Sequence, residues 1–172
     1  MGGNGIKCGV VSPSPIPTAD QQTASDVLFL GEFKHSLDPK SRVTVPSNWR
    51  DQLANEKGLA VVPGMSRKCL VMMPARDMKR RVFAAIQTKG ITDERSRQVA
   101  SSLGAQSAMV EWDSAGRVRV PDNLLKVADL KDDVVLIGAL DVIELWSPAN
   151  WEAFQKSTGP EALGAAAKEI NF

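Results

Sequence analysis

Histidine, cysteine and aromatic residues are scarce in this chain. Its 172 residues include one histidine, His35, two cysteines, Cys8 and Cys69, and no tyrosine. A zinc site takes about three or four ligands from Cys, His and carboxylates, and the Cys and His share is missing. No Cys-x-x-Cys pair is present, so thioredoxin-type chemistry has no support. Cys8 lies in a glycine-rich stretch and Cys69 in an apolar run; they read as two separate free thiols in a reducing compartment. A nucleophilic triad would have His35 as its only histidine base. No phosphate-cradling glycine loop and no Gly-x-Ser-x-Gly elbow occurs. Asp38 and Asp113 could be imagined as a carboxylate dyad, but each has a basic partner nearby that would keep it ionised. The chain therefore does not read as an enzyme, and no metal, cofactor or small-molecule substrate is expected. A formal net charge of +1 excludes a surface coated in positive charge but leaves room for a local basic face.

Long apolar runs are also lacking. No stretch approaches the ~18–20 residues of a membrane span. The segment after Met1 has no apolar signal-peptide core, and Ile6 stands where a myristoylation signal needs Ser or Thr. No membrane partner and a cytoplasmic location are expected.

What the chain does contain is organised. Residues 1–26 are rich in Gly, Pro, Ser and Thr and bury too little apolar surface to offset their ordering entropy, so a disordered N-terminal tail is expected. Residues 157–172, with Thr158-Gly159-Pro160 followed by an alanine-rich segment, read as a C-terminal tail. Between them lies a repeat. Asp38-Pro39-Lys40-Ser41-Arg42-Val43-Thr44-Val45-Pro46-Ser47-Asn48 aligns with Asp113-Ser114-Ala115-Gly116-Arg117-Val118-Arg119-Val120-Pro121-Asp122-Asn123, with six of eleven positions identical. Downstream, Val61-Val62-Pro63-Gly64 matches Val135-Leu136-Ile137-Gly138, and Leu70 to Pro74 matches Glu144 to Pro148. The order of signals is the same in both halves.

Each half predicts β-β-α-β-β-α. Leu30–Leu37 suits a half-buried strand. Asp38-Pro39-Lys40-Ser41 is turn chemistry. Arg42–Val45 alternates, with Val43 and Val45 toward a core, and the two strands are expected to form a hairpin. Pro46 ends the strand and Ser47 or Asn48 starts a short helix to Leu53. Leu59–Pro63 and Cys69–Met73 are apolar strand runs, and Pro74, at the N1 position that proline tolerates, is expected to open a helix over Ala75 to about Gln87. The second half predicts strands at Ala108–Trp112, Arg117–Val120, Asp133–Ile137 and Val142–Trp146, and helices at Asn123–Val127 and from Pro148. Between the halves, Thr92-Asp93-Glu94 starts a helix to Leu103, with Gly104 as its stop. The expected class is α+β with a pseudo-twofold: a first repeat over 27–90, a connecting helix over 91–106 and a second repeat over 107–156.

Two Asp-x-x-x-Arg motifs, Asp38–Arg42 and Asp113–Arg117, are each followed by Val-x-Val-Pro. In this doubled context the chain resembles the MraZ family of bacterial transcription regulators over about residues 29–155. Gly31, His35-x-Leu37-Asp38, Asn48-Trp49-Arg50 and Glu144-Leu145-Trp146 add to the likeness. The sequence departs from the family at Ser41, where a glycine is usual and which Gly116 retains in the second copy, and at Met109 and Leu125, where Glu and Arg are common.

The resemblance implies two AbrB-like swapped-hairpin units forming one β-barrel. It also implies a nucleoid-associated, ring-like homo-oligomer, and a DNA-binding regulator of the division and cell-wall gene cluster. Such a protein binds direct repeats in double-stranded DNA upstream of its own gene, and repression is the expected sense of control. The candidate DNA-binding residues are Lys34, His35, Lys40, Ser41, Arg42, Arg117 and Arg119, with Asp38 and Asp113 orienting the turns. The residues support this independently: Lys34, His35, Lys40 and Arg42 are expected on one hairpin with Asp38 the only acid among them, lysines and arginines suit phosphates, arginine also suits guanine edges, and a two-stranded ribbon fits a major groove. Two readings of Arg42 and Arg117 stay open, base or phosphate contact and ion pairing with Asp38 and Asp113, and they can coexist. The basic run Arg76, Lys79, Arg80, Arg81 reads as a solvated helix face, and Trp49, Trp112, Trp146 and Trp151 as core or interface. The competing function is a structural ring in which the basic hairpin is a subunit contact.

Overall fold

The computed structural model describes residues 27–54, 56, 58–65, 67–89 and 94–159, with 164 and 168. The proposed N-terminal tail and Cys8 lie outside these, as does most of the C-terminal segment beyond Gly159. In chain order the elements are β1 (Glu32–Ser36), β2 (Arg42–Thr44), α1 (Ser47–Gln52), β3 (Leu59–Pro63), β4 (Cys69–Pro74), α2 (Ala75–Lys89) and α3 (Glu94–Ala105). They continue with β5 (Ala108–Val110), β6 (Arg117–Arg119), α4 (Asp122–Val127), β7 (Asp133–Ala139), β8 (Val142–Trp146) and α5 (Pro148–Ser157). The class is mixed α+β.

Six strands form an antiparallel sheet in the order β1-β7-β8-β4-β3-β5, and β2 pairs with β6 in a separate two-stranded ribbon. Alternate residues of the sheet, among them Leu59, Leu70, Leu136 and Leu145, meet Val43 and Val118 of the ribbon and Trp49 of α1 in one core. Phe29 and Phe33 set their rings edge-on against Trp49. The opposite sheet face is also covered: Met78 and Leu103 pack over Ala60, Val62 and Met73, while Trp151 and Phe154 pack over Cys69, Val135 and Trp146. Burial on both faces explains why β3 and β4 read as continuous apolar runs rather than alternating ones, and why β8, buried throughout, is apolar at every position but Glu144.

Three local expectations are corrected. First, β1 and β2 do not ladder together. The turn between them closes, with Asp38 N–H donating to Arg42 O at 2.9 Å, but β1 pairs with β7 from Glu32↔Ile137 to Ser36↔Asp133 and β2 pairs with β6. The distant partners satisfy more backbone groups than a local hairpin could, and they let Val43 turn into the core. Second, Gly104 does not stop α3. The helix runs to Ala105 and ends where Gln106 N–H bonds Ser102 O and Leu103 O. Its expected start at Thr92-Asp93 lies outside the described residues. Third, Pro74 does not stand at the first helical position: it is the buried last residue of β4, while α2 begins at Ala75, where the helix was expected to start.

Candidate nucleic-acid interface

The candidate site is the outer face of the β2–β6 ribbon. Val43 and Val118 stand opposite each other and are fully buried. Strand alternation then puts Arg42, Thr44, Arg117 and Arg119 on the outer face, with Arg42 opposite Arg119 and Thr44 opposite Arg117. The ladder is extended at both ends, by Val120 N–H to Ser41 O at 2.9 Å and Val45 N–H to Gly116 O at 3.1 Å.

Each strand is entered through a turn of the same construction. Asp38 Oδ1 accepts from the N–H groups of Lys40 at 2.9 Å and Arg42 at 3.0 Å. Asp113 Oδ1 accepts from Ala115 and Arg117, both at 3.0 Å. Ser41 and Gly116 donate back to Asp38 O and Asp113 O, both at 2.9 Å. Asp is suited to this because its short carboxylate reaches backbone N–H groups two residues on. The fourth turn residue is left-handed in both, with φ of 60° at Ser41 and 74° at Gly116.

The second carboxylate oxygens build an ionic quartet. Asp38 Oδ2 takes Arg42 Nε at 2.7 Å and Nη2 at 2.6 Å. Asp113 Oδ2 takes Arg117 Nε at 2.8 Å and Nη2 at 2.7 Å. Crossed pairs tie the halves, Arg42 Nη1 to Asp113 at 3.2 Å and Arg117 Nη1 to Asp38 at 3.8 Å. The Arg42 hydrogen bond holds the Asp38 carboxyl down at about 2, and the Arg117 hydrogen bond does the same for Asp113. The Arg117 guanidinium is correspondingly held above its ordinary range by Asp113. The quartet is partly exposed and its formal charges cancel. Both guanidinium planes are fixed by carboxylates on their Nε side, as a directional hydrogen-bonding surface requires.

The remaining predicted residues distribute around this centre. Lys40 and Arg119 are exposed and Ser41 is half-buried. The Ser41 hydroxyl sits 3.3 Å from Asp122 Oδ1. Lys34 and His35 are carried by β1, at the edge of the six-stranded sheet, opposite Val135 and Val134; Lys34 is exposed and His35 half-buried. Among the described residues Lys34, Lys40 and Arg119 make no ion pair. The structure thus brings together Lys40, Ser41, Arg42, Arg117 and Arg119, with Asp38 and Asp113, and leaves Lys34 and His35 on another sheet. On α2, Arg76 pairs with Glu56, Arg80 with Asp77 and Arg81 with Asp141. Among the described residues no group of three His, Cys, Asp or Glu could hold a metal, and no helix is long and apolar enough to cross a membrane.

One residue, noted in the sequence only within Asn48-Trp49-Arg50, was given no role at the site. Arg50, in the last turn of α1, donates Nε to Val45 O at 3.1 Å, and its side chain lies over Gly116, where an added Cβ would collide with Arg50 Nη1, Cζ and Cδ. The signal was present in the repeat, which sets Arg50 against Leu125 and Gly116 against Ser41.

The transcriptional regulator MraZ of Clostridium beijerinckii is 33% identical over 130 residues, covering 76% of this chain and 89% of that protein. The chain belongs to the MraZ family. The MraZ of Roseiflexus castenholzii is 33% identical over 125 residues, covering 73% of this chain and 85% of the relative. That of Leuconostoc mesenteroides is 32% identical over 151 residues, covering 84% and 99%. A family model described as "MraZ protein, putative antitoxin-like" matches residues 103–169, the half that carries β5 through α5. These MraZ relatives are named for transcriptional regulation and not for an enzymatic activity.

Proposed function

We propose that this chain is a DNA-binding transcription regulator of the MraZ type. The observation that carries the reading is the β2–β6 ribbon, which turns Arg42, Arg117 and Arg119 away from the core on an element that fits a major groove. In this reading Lys40 and Arg119 hold phosphates, with Lys34 on the neighbouring sheet edge. Arg42 and Arg117, aimed by Asp38 and Asp113, present their outer nitrogens to base edges, and Ser41 and His35 flank the contact. The fold behind it is a pair of AbrB-like swapped-hairpin units, over 27–90 and 107–156 with a connecting helix over 91–106. Support for this comes from pairings that join corresponding strands of the two halves, β2 with β6 and β4 with β8. The protein acts in the cytoplasm on the nucleoid, on direct repeats upstream of the division and cell-wall genes, as a repressor. One ribbon per chain is a small contact, and a ring of copies multiplies it into avidity. This is how a chain of net charge +1 gains affinity for DNA.

The test is a gel-shift series on the promoter fragment with the assembled protein. Binding that weakens steeply as salt rises is expected, and Arg42→Ala is expected to weaken it with the oligomer intact. No shift at low salt overturns the reading; an unchanged shift with Arg42→Ala removes Arg42 from the contact. The charge-neutral quartet favours a second reading, a structural ring in which the ribbon meets a neighbouring subunit. In that case Arg42→Ala changes oligomer size and no DNA is bound.

A further inference from the structure

Resting on the DNA-binding reading, we propose that Arg50 grips a backbone phosphate of DNA beside the Asp113–Gly116 turn, so that the two ends of the ribbon are not equivalent. The two turns match in backbone bonding, and so do the short helices beside them. Arg50 N–H donates to Pro46 O at 3.0 Å, and Leu125 N–H donates to Pro121 O at 3.1 Å. Residues 50 and 125 therefore hold the same place in the two halves, but one is a cation and the other is apolar.

At the second turn, Arg50 Nε is tied to Val45 O at 3.1 Å, and Val45 N–H is itself bonded to Gly116 O at 3.1 Å. The guanidinium is thus fixed at the ribbon end, over a residue with no Cβ to displace it. Among the described residues it has no carboxylate partner. Arg42 and Arg117 differ in this respect, since Asp38 and Asp113 cancel their charge. A phosphate contact calls for an uncompensated cation, and a guanidinium fork matches phosphate oxygens.

At the first turn the same space carries opposite chemistry. Ser41 brings a Cβ and a hydroxyl 3.3 Å from Asp122 Oδ1, and Leu125 brings no charge. A carboxylate there repels a phosphate. The ribbon consequently approaches the duplex with a fixed polarity, its Arg50 end on the backbone.

The experiment is fluorescence anisotropy of the full-length protein on the promoter fragment across a salt series. Arg50→Gln is expected to lower affinity on specific and unrelated DNA alike, and to reduce the slope of log K against log salt by about 0.9 for each ribbon engaged; Arg50→Lys should keep the slope. The paired variant Ser41→Gly with Leu125→Arg, which builds the same cation at the first turn, is expected to steepen it. A wild type that binds no DNA overturns both this inference and the reading beneath it. A wild type that binds, with an unchanged slope for a folded Arg50→Gln of native oligomer size, overturns this inference alone. If Arg50→Gln fails to fold, an unchanged slope for the paired variant does the same.

Discussion

Ser41 and Gly116 hold the same place in two turns of matching hydrogen bonding, and both are left-handed, at φ of 60° and 74°. Only glycine adopts that conformation without strain, so one turn is relaxed and the other stores energy. Ser41→Gly is expected to raise stability by about 0.5–1 kcal/mol, the relief of strain being partly offset by a more flexible unfolded chain. Gly116→Ala is expected to lower stability by about 1 kcal/mol or more, because it adds strain and displaces Arg50. Urea midpoints of the two variants check both signs; a lower midpoint for Ser41→Gly would show that its hydroxyl contact with Asp122 outweighs the strain.

The quartet makes stability depend on acid. Asp38 and Asp113 are held at about 2, below their ordinary value of 3.8. A carboxyl whose folded value is depressed contributes stability in full above the unfolded value and loses it as pH falls through the folded one. Stability is therefore expected to be flat above about pH 5, then to fall between about pH 4 and 2. Asp38→Asn and Asp113→Asn should each flatten that fall. Denaturation midpoints between pH 7 and pH 2 read it; parallel curves for wild type and the two variants would mean the depression is absent in solution.

Glu144 is almost fully buried in the six-stranded sheet, at 3% exposure. Its carboxylate accepts from Arg67 Nη2 at 2.8 Å and Trp146 Nε1 at 3.0 Å, and Arg67 also lies over the Phe154 ring, 5.6 Å from its centroid. Arg67→Ala strands a buried charge and is expected to cost about 1–3 kcal/mol. Glu144→Leu removes the charge with its need for a partner and is expected to cost less. Chemical denaturation ranks the two; the reverse order would mean that the ion pair adds net stability.

Gly138 on β7 packs against backbone, not side chain. An added Cβ would stand 2.5 Å from Leu30 N and Phe29 C, where neither atom can swing away. Gly138→Ala is expected to cost about 1–3 kcal/mol and to speed amide exchange at Phe29 and Leu140, which bond each other across this corner. Unaltered exchange there would show that the segment before β1 yields freely.

The order of elements was legible because its signals are local: alternation at Arg42–Val45, Val-Pro ends to strands, and proline or Asp at helix starts. The Asp-x-x-x-Arg turns were legible for the same reason, and each does pair its own arginine. What local pattern could not give is the partner. β1 and β2 look like one hairpin because a good turn joins them, yet each bonds to a strand of the other half. The crossed Arg42–Asp113 pair follows from that exchange and was equally invisible. Gly104 misled because an exposed glycine with nothing near it is tolerated inside a helix end. Arg50 entered the sequence reading only within Asn48-Trp49-Arg50 and with no contact role, because a single arginine on a short helix shows no partner; the comparison of the two halves gives it one.

The pairing of β1 with β7 also sets a timetable for synthesis. Phe33 finds its partner at Leu136 and Val43 finds its partner at Val118, so the first half of the chain leaves the ribosome with two strands that have nothing to bond to. Its nascent form has open edges and an unfinished core until residues near Trp146 have emerged. Such long-range closure slows folding and exposes strand edges meanwhile. The charged, alternating face of β1, with Glu32 and Lys34 turned outward, protects the waiting edge from pairing with the wrong chain.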